Sequence, residues 1–461
     1  MLGLALRSLR ARAGGFAASF VSLFLGAAII MAFASMLDTA LAGEATGTAL
    51  ETLVTVASVV GFWGLLLVVL AVTSTLTLAV RQRTEEMALL KSVGATPAQI
   101  GRMVVGEAAG LAVAAWALAV PVGYAAGAGV LELLHSTGQV PEAVPYAFGP
   151  FALGMGLGIT LVAATSAAVL AVRRTVRGRV AETLAGAETG TGGAAGSGVG
   201  GSRRGRVRFW GGIVFLLLGL NLAVVTATVM REEGVEAMAT AGQADIFAAL
   251  GLALLAPWLI GGAVRVLARP LGWFGVAGDL AVSTLRRRTG HMAGAVMPII
   301  LFTGVAVGTL YLEEIEQEAT AAAGLVPTVE QKNIATLDYT VIGMLLVFTA
   351  VMLVNTLIAT TAYRRREFGQ QRLAGATPGQ VLGAVALEGA LLTGIGVACG
   401  ALASLFTFVP FGIARADTAL PDVEPLLFVA VAAIAAGLTM AASLGSARRT
   451  VRVPAVEAVS V

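Results

Sequence analysis

Two carboxylates, Glu107 and Glu388, sit about one to two turns inside long apolar runs, at matching places in "GRMVVGEAAG" and "VLGAVALEGA". An acid inside hydrocarbon is costly to ionise, so each marks a functional site unless it lies at the interface and pairs with an arginine such as Arg102. Both readings stand. Asn221 and Asn355 suit interhelical hydrogen bonds better than substrate contacts. Other reactive side chains are scarce. Lys91 and Lys332 are the only lysines, and neither follows the Gly-x-x-x-x-Gly of a phosphate-binding loop. His135 and His291 stand apart and Cys399 is the single cysteine, which leaves neither a disulfide nor a metal cluster in prospect. No catalytic residue and no metal site is expected, and any nucleotide chemistry must come from another polypeptide.

The elements that must hold these residues are membrane helices. Hydrophobic residues make up 57% of the chain and charged residues 12%, about half the level of an ordinary soluble protein. Apolar runs of about 20 residues or more recur near 16–38, 54–80, 103–130, 148–172, 209–230, 244–264, 292–312, 339–363, 381–409 and 425–446. The expected fold is all-α and polytopic, with about ten transmembrane helices. The basic "MLGLALRSLRARAGG" precedes a full-length span, so the first helix is read as a retained anchor. With the N-terminus in the cytoplasm and the spans alternating, all but Arg231, Lys332 and Arg415 of the 30 lysines and arginines fall on the inner side. Both termini are thus expected in the cytoplasm, the protein in the cell membrane. The formal charge of +3 is juxtamembrane and gives no sign of nucleic-acid binding.

The chain repeats itself. "RTEEMALLKSVGATPAQIGRMVVGEAAG" aligns without a gap with "RREFGQQRLAGATPGQVLGAVALEGAL". Residues 9–19 match 285–295, and 173–184 match 448–459. Equivalent helices share one orientation, as in parallel repeats that face each other across an axis along the membrane normal. The expected domains are a first four-helix repeat at 1–184, a Gly-rich linker at 185–208, a connecting helix pair at 209–280 and a second four-helix repeat at 281–461. "GMGLG" at 154–158, Gly123-x-x-x-Gly127 and Gly396-x-x-x-Gly400 have the spacing of close helix packing, a common one among 58 glycines.

The strongest repeated signal is polar. Thr96-Pro97-Ala98-Gln99 and Thr377-Pro378-Gly379-Gln380 each carry a helix start: Thr caps, Pro takes the first helical position, Gln reaches back. Gly94 and Gly375 precede them, where an incoming helix would end in the left-handed conformation. Each copy is therefore an elbow between two helices. In the first, Met87, Leu90 and Lys91 fall on one face, Leu90 and Val93 extend an apolar strip, and Glu85 and Glu86 are in solvent. Such an element can lie on lipid, dock a partner or simply make a well-capped turn.

The pattern Glu-x-x-x-Leu-Lys-x-x-Gly-Ala-Thr-x-x-Gln-Ile after the second span, followed by an apolar helix with an early Glu, resembles the FtsX-like permease domain. "PAVEAV" near the C-terminus is similar to that family's Pro-x-x-x-[Ala/Leu] ending. The family includes the MacB-type (macrolide exporter) and Bce-type (bacitracin resistance) permeases, and the four-two-four plan is most similar to the latter. The resemblance implies an ABC transporter permease that pairs with two copies of a separate ATPase carrying MgATP, while this chain binds no cofactor. It places the ATPase against 81–102 and 364–383. The coupling residues it implies are Glu85, Glu86, Leu89, Leu90, Lys91, Gly94, Thr96, Pro97 and Gln99, and in the second copy Glu367, Phe368, Arg372, Gly375, Thr377, Pro378 and Gln380. Gln370 and Gln371 replace Leu89 and Leu90, which makes the second contact more polar.

The cargo implied is amphipathic: an antimicrobial peptide, a hydrophobic antibiotic or a lipid taken from the membrane. Both relatives carry a large outer domain, and this chain does not; its outer segment 313–338, roughly 25 residues, is too short for a core. Glu313, Glu314, Glu316 and Glu318, with Glu232, Glu233 and Glu236, either draw a cationic ligand or form a solvated surface. An FtsX-like signal transmitter that moves nothing is the alternative. An ion-coupled secondary transporter would need buried charges in mid-span, which the expected spans largely lack.

Overall fold

The computed structural model describes residues 13–60, 89–90, 92–176, 203–231, 234–273, 275–322, 364–418, 421 and 423–454, with short stretches between 343 and 361. Among these residues every regular element is helical. The fold is an all-α polytopic membrane protein, and among the described residues eight helices are long and apolar enough to cross a bilayer. Most of the second and eighth expected spans, the linker up to residue 202, Glu85, Glu86, Lys91, Glu232, Glu233 and Asn355 lie outside the described residues. The last six linker positions, 203–208, are helical as the start of the Arg203–Thr228 helix.

In chain order the elements are α1 (Ala13–Leu41), α2 (Thr48–Thr55), α3 (Pro97–Ser136), α4 (Pro150–Val176), α5 (Arg203–Thr228), α6 (Gly234–Gly272), α7 (Gly275–Ala322), α8 (Arg365–Leu373), α9 (Pro378–Ala416) and α10 (Pro425–Val451). The described residues fall into two compact units, one within 1–195 and 328–348, the other within 196–327 and 349–461. The first packs α1 against α3 and α4; the second packs α7, α9 and α10 with α5 and α6.

Glycine decides how closely these helices approach. A Cβ on Gly400 of α9 would lie 2.9 Å from the backbone nitrogen of Gly304 and 3.0 Å from the Ile300 carbonyl of α7. Gly396, one turn away, leaves room for Ile299. In the first unit Gly123 and Gly127 of α3 admit Met31 and Ser35 of α1. These two Gly-x-x-x-Gly pairs therefore set backbone-level seams. In "GMGLG" only Gly156 is closely approached, by the Met31 side chain; Gly154 and Gly158 face open space.

At the end of each unit far from the elbows, an acid on the first helix of the repeat binds the start of the fourth. Asp38 accepts from the backbone N–H of Phe151 at 3.0 Å and of Ala152 at 2.8 Å, so it satisfies donors that the first turn of α4 leaves open. Thr39 exchanges hydrogen bonds of 3.2 Å with Ala147 on the same approach. In the second unit Glu314 accepts from the N–H of Glu424 at 2.8 Å, beside the Pro425 start of α10. The register that matches 9–19 to 285–295 makes Asp38 and Glu314 equivalent, so the clasp is repeated.

This revises the expectation for the acidic segment after residue 312. Glu313 is buried and accepts from Gln317, and Glu316 holds Arg415 through two hydrogen bonds of 2.7 Å. Glu314 and Glu316 fasten α7 to other elements, while the Glu313 contact stays within α7. A field open to a cationic ligand is a poor description of them, because Glu313 is buried and Glu314 and Glu316 each accept from a donor distant in sequence.

Asp38→Ala is expected to destabilise the first unit by about 2 kcal/mol, since two charge-assisted hydrogen bonds at a buried helix start are lost. Hydrogen exchange at Phe151 and Ala152 should accelerate, with Asp38→Asn intermediate.

Candidate functional site

Both elbows have the geometry that their residue types dictate. Thr96 caps α3: its hydroxyl accepts from the Gln99 N–H at 3.3 Å, and the Gln99 side chain accepts from the Thr96 N–H at 2.9 Å. Thr377 and Gln380 repeat this at 3.3 and 2.8 Å. Pro97 and Pro378 each open their helix, where the missing N–H costs no hydrogen bond. The incoming turn closes on glycine, with φ of 98° at Gly94 and 100° at Gly375. Beyond each glycine the next N–H reaches five residues back, Ala95 to Leu90 at 2.9 Å and Ala376 to Gln371 at 3.0 Å, which uses up a helix-end carbonyl.

No atom lies within 4 Å of a Cβ built at Gly94 or Gly375, so a substitution there meets only the backbone penalty. Gly94→Ala and Gly375→Ala are each expected to cost about 1 kcal/mol, read as faster amide exchange at Ala95 and Ala376.

The two elbows differ in what they show. In the first, Leu89 is 60% exposed, Leu90 40% and Val93 87%, an apolar tip. In the second, Leu373 is 57% exposed while Gln370 also faces outward. Two residues grouped with the coupling surface turn inward instead. Phe368 is 1% exposed and packs with Val381, Val385, Ala447 and Val451. Arg372 donates to the carbonyls of Val451 at 2.9 Å and Val453 at 2.6 Å, at the end of α10, where a cation suits the open carbonyls and the helix dipole. The second elbow is thus braced against α10 by one aromatic ring and one guanidinium.

Its neck is closed by an ion-pair cluster. Arg364, the residue before α8, donates to both oxygens of Glu388 on α9, through Nη1 to Oε2 and through Nη2 to Oε1 at 3.2 Å. Its Nε donates to Glu367 at 3.0 Å, and its Cζ lies 5.0 Å from the centre of the Phe368 ring. The Thr284 hydroxyl lies beside the Glu388 carboxylate. Arg364 and Glu388 are 8% and 3% exposed. Between them the chain runs out along α8, turns at Gly375 and returns as α9, so the clamp makes the whole elbow a closed lever.

Of the two carboxylates that stood out in the sequence, Glu388 is therefore half of a buried bidentate pair. Its partner comes from the preceding helix end, since Gly383 fills the place that Arg102 holds in the first copy. Glu107 is 2% exposed on α3, while Arg102 is exposed. The sequence carried a signal for Arg364: an Arg-Arg-Arg-Glu run at the end of a span can neutralise an acid in the next helix. Only packing selects which arginine turns in.

The FtsX-like permease C-terminal family matches the chain twice, over residues 58–177 and 339–455, which together make up just over half of it. Comparison with curated proteins finds no match. Each matched region contains one elbow, one capping box and one buried glutamate on the helix that follows. Members of this family are membrane subunits, without ATPase activity of their own, that generally work with an ABC ATPase partner. Carrying that domain in two copies within a multi-pass helical fold, the chain belongs to the FtsX-like permease family.

Proposed function

We propose that the chain is the transmembrane subunit of an ABC transporter, in which the segments 81–102 and 364–383 take the stroke of two copies of a separate ATPase that carries MgATP. The repeats lie at 1–184 and 281–461, joined through 185–208 and the pair 209–280. The chain is placed in the cell membrane with both termini and both elbows in the cytoplasm, as the arginine distribution favours. The work is export or membrane extraction of an amphipathic molecule, peptide, antibiotic or lipid, in the manner of MacB-type and Bce-type efflux and resistance systems. The stroke is passed on as mechanotransmission through the helices.

One observation carries this reading: a duplicated, capped elbow whose first copy ends in the exposed apolar residues Leu89, Leu90 and Val93. Such a tip has no reason to face water unless something covers it. The brace on α10 and the clamp at Glu388 supply the stiffness that a push on the second elbow needs.

The test is gentle purification from the native membrane, followed by an ATP hydrolysis assay. An ATPase subunit recovered at about two per permease, with hydrolysis stimulated by an amphipathic substrate, supports transport. Hydrolysis that responds to an outer protein partner and to no substrate favours signal transmission. A chain that stays alone and inert after co-expression with adjacent ATPases removes the ABC reading.

A further inference from the structure

The elbows leave one buried acid unexplained. Asp245 lies about three turns inside α6 and is 2% exposed. The sequence placed a span at 244–264, which would leave this residue at the membrane edge; α6 begins at Gly234 and carries it inward. Three helices enclose it. On α7, a Cβ at Gly304 would lie 3.1 Å from Asp245 Oδ1, and a Cβ at Gly308 would lie 3.3 Å from Oδ2. Those same two positions border Ala403 and Thr407 of α9. Behind, Gly219 of α5 packs on Ala244 and Ala248. Gly304 and Gly308 thus form a cradle that any side chain would fill.

The polar accounting at this cradle does not close for an ionised acid. Asp245 Oδ1 has no hydrogen-bond partner, and neither has Thr303 Oγ1, fully buried beside Gly304 on α7. The Thr407 hydroxyl is already given to the Ala241 carbonyl at 3.1 Å. No titratable or charged group among the described residues faces Asp245: α5 presents Gly219, α7 presents Gly304 and Gly308, and α9 presents Ala403 and Thr407. Further along α7, Glu313 is engaged with Gln317.

A carboxylate ion without counter-ion or donor is not tolerated in such a place; it takes up a cation or a proton. A metal ion needs several oxygen ligands, and the described residues hold no cluster of three metal-binding side chains. An ammonium group would need the space that the α7 backbone occupies at Gly304 and Gly308. A proton needs no space, and it removes the charge for which no partner is present. We propose that Asp245 is an intramembrane proton-binding site, whose protonated form closes the α6–α7–α9 seam on the Gly304/Gly308 cradle and whose deprotonation opens it. The site lies apart from the elbows and does not depend on the ATPase.

The test uses the full chain in lipid nanodiscs. Infrared spectra of the wild type near neutral pH should contain a protonated-carboxyl stretch that is missing from Asp245→Asn and converts to carboxylate as the pH rises. Dicyclohexylcarbodiimide, which reacts with protonated acids in hydrocarbon, should label Asp245 by peptide mass mapping, and labelling should fall over the same pH range. Cys399, buried on α9 next to Gly400 at the same seam, reports opening. Its reaction with a small thiol reagent should rise several-fold more with pH in the wild type than in Asp245→Asn. An acid band identical in the two proteins overturns the proposal. If Asp245→Asn does not assemble, the wild type decides alone: an adduct on Asp245 that declines with pH supports the site, and an unlabelled Asp245 with no acid band overturns it.

Discussion

Arg364→Ala is expected to destabilise the second unit by about 3–5 kcal/mol, the usual cost of removing one partner from a buried ion pair. The loss exceeds that of two hydrogen bonds because Glu388, 3% exposed, is left as an uncompensated charge. Phe368 also loses the guanidinium stacked on its ring, and with it part of the packing that holds α8 to α10. The experiment is thermal unfolding in detergent with a thiol-reactive dye, for which the single buried Cys399 is a built-in probe of this unit. Replacing both partners, Arg364→Met with Glu388→Leu, should recover most of the stability, since an apolar pair of similar volume avoids the desolvation cost. A single substitution as mild as the double one would show that the clamp bears little load.

Acidic substitution at the first elbow tip is expected to have the largest effect on partner binding. Leu89→Glu and Val93→Glu should each weaken recovery of the ATPase about tenfold or more, the cost of charging an anchor residue in a contact. Both side chains are exposed, so folding and membrane insertion should not change, and the unfolding temperature serves as the control. Leu373→Glu in the second copy should act in the same direction and more weakly, because Gln370 and Gln371 already make that surface polar. Unaltered ATPase recovery in the combined variant would remove the tips from the interface. These positions are a cleaner test than Glu367→Arg, since Glu367 holds Arg364 and its reversal would mix lost coupling with a broken clamp.

What could be read without a structure is what short-range physics controls. The apolar runs announce membrane helices because each is long enough to satisfy its own backbone inside hydrocarbon. The elbows are equally legible: Thr-Pro-x-Gln caps a helix, and the preceding glycine alone accepts the left-handed turn, within a few residues of chain. The repeat and its family were carried by the same stretches. Packing decided the rest. Arg364 meets Glu388 across the elbow, Arg372 meets the end of α10, and Asp38 meets the start of α4, all pairs distant in sequence. Neither the inward turn of Phe368 nor the depth of Asp245 follows from a local pattern, since each depends on which neighbouring helix lies against it, and the second also on the missing Cβ of Gly304 and Gly308. Hydrophobicity places a helix in the membrane; only the assembled helices fix which of its polar groups are enclosed, and enclosure is what gives a charge its partner or its proton.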